Sequence, residues 1–482
     1  MKTLCHCLLS FCFWAASVVW ITPLRAAPLP TPPPIKIPTP GEVIGLPGLS
    51  QIMSKQYAGQ VKVSDCGNYI FFWFFESQSL PTDPVVVWLN GGPGASSMIG
   101  LFTENGPIML ENSDTGGLAV KAREASWNKN AHYLVIDQPA GTGLSFSAKP
   151  DSCQPTNETE STKQLYTALQ QIFTVLPQFQ KNPLYIFGES FAGHYIPHLG
   201  KYIIDANAHI SLDKKRRTVN NAIHLNLKGL GIGDGWIDPE FQTKGMADFA
   251  YFQGLVTEPG RDQLKQVEDR CTTQLAKYNT PAYMNGTQSV PASVADLCDA
   301  VINQLVAMTG KNEYNLNLVH KYRYDDIYKY LNTESVREAL HVSTSTPPWT
   351  IVNNKIGSSF KTGEMNSTIK FIADILKSDS VRILIYEGER DGCCGPAGTN
   401  QWLNKMHKMY WPAGKSFFYD YEPWMINSVH QGEFRTFPKG SSLGKATLSE
   451  VVVYGAGHLL PMDEPEAALK MLNDFIGVEP SI

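Results

Sequence analysis

Leu184-Tyr-Ile-Phe-Gly-Glu-Ser-Phe-Ala-Gly193 is the stretch that decides the fold. Four apolar residues lead into a serine with small neighbours, and Pro197–Ile204 continues as a helical pattern. A strand that bends sharply into a helix lifts a serine hydroxyl clear of the sheet, and so tight a bend demands small residues around it. Gly188 and Ala192 occupy those places, with Gly193 next; alanine at the second place departs from a strict G-x-S-x-G pattern. Taken alone, Ser190 also fits an ordinary helix-start serine capping backbone amides.

Working outward, apolar runs recur at Tyr69–Phe75, Pro84–Leu89, Tyr133–Asp137, Leu225–Ile232, Val381–Tyr386 and Val451–Tyr454. Most lack polar alternation, as strands covered on both faces do. Helical spacing lies between them at Thr159–Leu176 and Glu466–Phe475. This alternation predicts an α/β fold with a central, mostly parallel sheet flanked by helices. The rhythm breaks after about Ile237. Residues 238–367 are less regular, with pieces such as Thr333–Leu340, and read as a cap insertion over a core of residues 42–237 and 368–482.

A serine hydroxyl attacks well only when a base takes its proton and an acid orients that base. Two later strands end in suitable loops. Val381–Tyr386 runs into Glu387-Gly-Glu-Arg-Asp391, and Val451–Tyr454 runs into Gly455-Ala-Gly-His458. Glu387, Glu389 and Asp391 are all candidate acids at this point. Asn90-Gly-Gly-Pro-Gly94 follows another strand; it reads as a plain turn or as a glycine-rich loop presenting N–H groups to an anion. No H-E-x-x-H, zinc-type cysteine spacing or P-loop occurs, so no metal or cofactor is expected.

The N-terminus reads as an address. Residues 1–27 carry Lys2, an apolar run from Leu4 to Ile21 and Ala26-Ala27, the pattern of a signal peptide, with a signal anchor as the alternative. Residues 28–41 hold seven prolines, too many for a helix, and read as a stiff tether or propeptide. Secretion makes disulfides the expected state of Cys66, Cys153, Cys271, Cys298, Cys393 and Cys394, although six allow 15 pairings. Cys271 and Cys298 are a candidate local pair. Sequons at Asn157, Asn285 and Asn366 suit an exported surface. With 43% aliphatic and aromatic residues the chain is not broadly disordered. Forty Lys and Arg against 45 Asp and Glu, with no basic run, argue against nucleic acid as a main partner. No later stretch is apolar enough to span a membrane once the leader is removed.

Five segments together carry a family resemblance: WLNGGPGASSMIGLFTENGP (88–107), IDQPAGTGLSFS (136–147), GESFAGHYIP (188–197), DIYKYLNTESVREALHV (326–342) and GAGHLLPMDEPEAAL (455–469). The chain resembles the serine carboxypeptidases, α/β-hydrolases that act as vacuolar, lysosomal and secreted exopeptidases. The resemblance implies Ser190 as nucleophile, His458 as base and Asp391 as its acid, because the family's acid lies three residues past a glycine, here Gly388. It implies oxyanion amides at Gly92 and Phe191. It implies a pocket for the substrate's terminal carboxylate from Asn90, Gly91, Glu104 and Glu189. The partners it implies are peptide and protein C-termini, cleaved best at acidic pH, in the medium or in a vacuole.

Departures from the family pattern are Ala95 in place of a frequent cysteine, Phe191 in place of a tyrosine, and Leu459 in place of a methionine. The adjacent thiols Cys393 and Cys394 leave open a vicinal disulfide or a free cysteine near the site.

Overall fold

The computed structural model describes residues 36–49, 54–113, 116–216, 222–278, 290–411, 421–438 and 446–477. The leader, residues 28–35 of the proline-rich stretch and Asn285 lie outside the described residues. The described strands are β1 Gly41–Glu42, β2 Gln56–Lys62, β3 Asn68–Phe75, β4 Val85–Leu89, β5 Ile108–Asn112, β6 Leu118–Ala122, β7 His132–Ile136, β8 Phe146–Ser147, β9 Leu184–Glu189, β10 Leu227–Gly233, β11 Arg382–Gly388, β12 Glu422–Ile426, β13 Val429–Phe437 and β14 Leu448–Val453.

Twelve of these strands form one sheet in the order β1-β2-β3-β7-β4-β9-β10-β11-β14-β13-β12, with β8 against β3. From β7 to β14 every pairing is parallel. Both flanks are antiparallel. The chain goes from β4 to β7 on one side and then returns across β4 to β9 on the other. The carboxyl ends of β4 and β9 therefore border the crevice at which the strand order reverses, where open α/β sheets bind ligands.

The apolar runs lack alternation because both faces are covered. In β3, Phe72 and Phe74 enter one apolar cluster with Val87 and Ile186, whereas Phe71, Trp73 and Phe75 enter another with Trp88 and Phe187. The first cluster is closed by helices α1 Glu158–Val175 and α2 Ala192–Arg216. The segment read as an insertion contains α3 Glu258–Leu275 and α4 Ala292–Thr309. After it, α5 Ile369–Lys377 and α6 Pro396–Met409 join the first cluster, and α7 Pro465–Ile476 joins the second.

Helix α2 extends past both ends of its Pro197–Ile204 sequence pattern, and its start at Ala192 places Pro197 inside the helix. Proline cannot donate to the carbonyl four residues back. Thr368 Oγ1 donates to that carbonyl, Gly193 O, at 2.9 Å instead. Between β10 and β11 the described residues add no strand to the sheet. There α3 and α4 are joined by the Cys271–Cys298 disulfide, the pair read as local in the sequence. A second bridge joins Cys66 to Cys153. Cys393 and Cys394 are both free thiols, so the expectation of disulfides at all six positions is corrected: the two occupy consecutive places in a turn that serves another purpose.

β4 and β9 approach so closely that a Cβ at Gly188 would lie 2.2 Å from Leu89 O and 2.9 Å from Ala192 Cβ. Those atoms belong to the sheet and the elbow and have little room to yield. Gly188→Ala is expected to cost about 1–3 kcal/mol, typical of overpacking. It should appear as a lower urea midpoint with an unchanged m-value; an unaltered midpoint would show that the two strands can separate freely.

Candidate active site

Ser190 has φ 61°, a left-handed conformation that a residue with a Cβ adopts only under constraint. Three backbone bonds impose it. Ser190 N–H donates to Gly233 O at 3.0 Å, and Ser190 O accepts from Gly193 at 2.9 Å and from Trp236 at 2.9 Å. Strand, elbow and the loop after β10 thus fix the serine from three directions.

β11 ends at Gly388, and a turn closed by Asp391 N–H to Gly388 O, 3.2 Å, follows it. Asp391 Oδ1 accepts the Cys393 N–H at 2.7 Å and Oδ2 accepts the Cys394 N–H at 3.0 Å. Oδ2 also lies 2.8 Å from His458 Nδ1. An ionised carboxylate only accepts, so Nδ1 carries the imidazole proton and Nε2 is left as a base. His458 Nε2 is buried with no hydrogen-bond partner among the described residues. Ser190, His458, Gly92 and Phe191 line one cavity of about 360 Å³. The other two acids of the loop go elsewhere. Glu387 is fully buried beside Glu450, and Glu389 is half-buried against Arg390 and the Gly455 amide.

The Asn90–Gly94 loop packs directly on the elbow. A Cβ at Gly91 would lie 2.3 Å from Phe191 N, so only glycine permits the contact. Asp137 of the IDQPAGTG segment holds the loop from below: Oδ1 accepts from Ser96 Oγ at 2.7 Å and Ser97 N at 2.8 Å, and Oδ2 accepts from Leu144 N at 2.8 Å. Burial pushes its carboxyl up to about 6 despite those bonds.

Asn90 is clamped by its side-chain oxygen, which accepts from Trp88 Nε1 at 2.8 Å and Gly100 N at 3.1 Å. Its amide nitrogen is thereby aimed at two acids, donating to Glu189 Oε1 at 2.8 Å and Glu104 Oε1 at 3.1 Å. Both glutamates are almost completely buried. Burial first, then the neighbouring Glu104 carboxyl, raises Glu189 well above the ordinary range. Burial also raises Glu104, opposed by its hydrogen bonds with Glu189 and Asn90. Two carboxyls so placed share protons rather than both ionise.

Asp391, Cys394 and His458 offer ligand atoms within 4.8 Å of one another, a set able to surround a cation. Burial and the Asp391 charge raise the Cys394 thiol well above its usual range, which disfavours the thiolate form that ligates metals.

A family model described as serine carboxypeptidase matches residues 47–478. The chain belongs to that family. Serine carboxypeptidase 3 of Oryza sativa subsp. japonica is 30% identical over 90% of this chain and 83% of its own. Pheromone-processing carboxypeptidase KEX1 of Paracoccidioides lutzii is 30% identical, covering 95% and 71%. Among solved structures, Kex1(delta)p, a prohormone-processing carboxypeptidase from Saccharomyces cerevisiae, aligns with TM-score 0.74 at 25% identity, over 91% of this chain and 96% of that one. The protein is a serine-type carboxypeptidase with an α/β-hydrolase fold, a hydrolase that shortens peptides from the C-terminus.

Sequence reasoning missed residues from segments with no motif. Tyr314 O accepts the His458 N–H at 2.6 Å, and the Tyr314 ring lies 4.9 Å from the imidazole. Asp234, buried with φ 41°, accepts the Gly388 N–H at 2.9 Å and so supports the start of the Asp391 turn. Its place in the glycine-rich end of β10 was the one available signal. Trp236, Asp299 and Glu364 also reach the cavity wall.

Burial raises Glu104, Glu189, Asp234, Glu387 and Glu450. Each holds its proton more tightly folded than unfolded. Their contribution is complete below the ordinary carboxyl range and is lost as pH climbs through the raised values. Glu158, lowered in the fold by its contact with His194, acts in the opposite sense. The urea midpoint should therefore fall from pH 5 to pH 8, and Glu387→Gln should flatten the fall. A midpoint that rises over this range would contradict the assignment.

Proposed function

We propose that Ser190, His458 and Asp391 form the catalytic triad and that the enzyme releases C-terminal residues through an acyl-enzyme at Ser190. Ser190 Oγ attacks the last peptide carbonyl while His458 Nε2 takes its proton. The Gly92 and Phe191 amides receive the negative charge that develops on the carbonyl oxygen. His458 then protonates the departing amino acid, and water repeats the sequence to free the shortened peptide. The observation that carries this reading is the buried His458–Asp391 contact at 2.8 Å, with His458 and Ser190 lining the same cavity.

Asn90, Gly91, Glu104 and Glu189 bind the terminal carboxylate. A carboxylate beside two ionised glutamates would be repelled. A protonated carboxyl instead donates a hydrogen bond to it. Binding then weakens as pH rises through the pair's titration, which favours acidic conditions.

The leader and the sequons fit export through the secretory route to the medium or a vacuole. Among the described residues no helix is long and apolar enough to cross a membrane. Asn157 and Asn366 are proposed glycan acceptors together with Asn285. At Asn157 a sugar on Nδ2 would leave Oδ1 free to keep accepting from Glu160 N at 3.0 Å, the cap of α1.

Ser190→Ala should lower kcat on N-blocked dipeptides by about 10⁴-fold or more and abolish labelling by an organophosphate. Wild-type protein that resists labelling would overturn the triad. Separately, KM should rise from pH 4 toward pH 8, and Glu104→Gln, which cannot ionise, should blunt the rise. A flat wild-type KM would remove the carboxylate pocket from the scheme.

A further inference from the structure

The cavity beside Ser190 has an acidic wall that the reaction scheme leaves unused. Asp299 of α4 and Glu364, in the segment before α5, both line it, with Glu313 at its edge. Among the described residues no lysine or arginine lines it. Lys361 is the nearest counter-charge, yet it is drawn to Asp296 at 2.5 Å and lies 3.4 Å from Asp299. The Glu364 carboxyl makes no hydrogen bond or ion pair with the described residues. Its backbone is nevertheless fixed, since Glu364 O accepts from Trp236 Nε1 at 2.8 Å. Asp299 keeps its one ion pair, with Lys361, while the Glu364 carboxyl, held over the cavity without a cation, lacks the partner that such a group ordinarily has.

The cavity's place in the site identifies which part of a substrate enters it. Asn90, Glu104 and Glu189, assigned above to the terminal carboxylate, do not line it. The neighbouring groove that touches Phe102 and Thr103, next to Glu104, is separate. With the scissile carbonyl at Ser190, the Asp299–Glu364 cavity receives the residue on the acyl side of the bond. Its wall also carries Met246, Ile302 and Met365, apolar side chains suited to a long methylene stem.

We propose that Asp299 and Glu364 form an anionic subsite that selects lysine or arginine as the penultimate residue of the substrate. This deepens the exopeptidase reading and rests on it. Burial, with Asp299 next, raises Glu364 to about 7. Lys361 acts against that shift, and Glu158 reinforces it. Glu364 is therefore neutral in acid and gains its charge near neutrality, where the preference for a cation strengthens.

The test uses N-blocked dipeptides with C-terminal alanine and arginine, lysine, leucine or glutamate before it, assayed at pH 5 and pH 7.5. The readout is the arginine-to-leucine ratio of kcat/KM, in which pH effects on the triad and the carboxylate pocket cancel. In wild type the ratio should exceed one and grow by about fivefold or more over this range. Glu364→Gln should abolish the growth, and Asp299→Asn should lower the ratio at both pH values. A wild-type ratio at or below one, growth that survives Glu364→Gln, or a basic preference seen only when the leaving residue is varied would each overturn the subsite while the exopeptidase reading stands. Failure to cleave any dipeptide would overturn that reading and the subsite with it.

Discussion

The site depends on a backbone-to-backbone contact. β4 and β9 are parallel neighbours that end together, and their continuations must touch without side chains between them. Gly91 lies against the Phe191 amide and Gly188 against the Leu89 carbonyl. Once that contact is made, two loops from distant parts of the chain become one surface. Gly92, Ser190 and Phe191 line one cavity at it, and Asn90 donates to Glu189 beside it. The strained φ of Ser190 persists because bonds from Gly233, Gly193 and Trp236 over-determine it. Preorganisation of this kind is established during folding, so the groups need not rearrange at the moment of reaction.

Charge burial is the second constraint. Glu189, Asp234, Glu387 and Asp391, at or just past the carboxyl ends of central strands, and Glu104, from the helical turn Gly100–Glu104, are all buried. So many ionised acids together would repel one another, and burial adds a desolvation cost to each. Protonation relieves both. Asp391 is placed differently from the rest, because two backbone N–H groups and the His458 ring face its oxygens. Environment thus separates the four acids whose pKa burial raises from Asp391, which the proposed triad uses to orient His458.

Much of this was legible in the sequence, for a physical reason. The central strands are buried on both faces, so they appear as unbroken apolar runs, and the glycines of the loops are set by contacts that no other residue permits. The expected α/β sheet and seven of its strands follow from those signals. The flanks were illegible. β12 and β13, EPWMI and VHQGEFRTF, lie at a half-exposed edge where polarity follows no simple period. β2 begins with Gln56, a residue whose buried side chain is satisfied by Trp73 and so carries no apolar signal. The insertion was illegible for another reason. Its residues reach the site from a helix, in Asp299, and from irregular turns, in Tyr314 and Glu364, rather than from a strand end, so spacing alone does not reveal them.

The division between core and insertion has a chemical consequence. The core supplies acids in a sealed pocket, where a proton turns them into donors for an anion. The insertion supplies acids on an open wall, where loss of a proton turns them into partners for a cation. On the assignments proposed above, rising pH would weaken the hold on the terminal carboxylate and strengthen the hold on a basic neighbour. For a substrate with a basic penultimate residue the two trends oppose each other, and useful binding extends further toward neutrality than for an apolar one. Substrate choice and pH dependence are then a single property of where carboxyls are buried, with the sheet fixing one half and the insertion tuning the other.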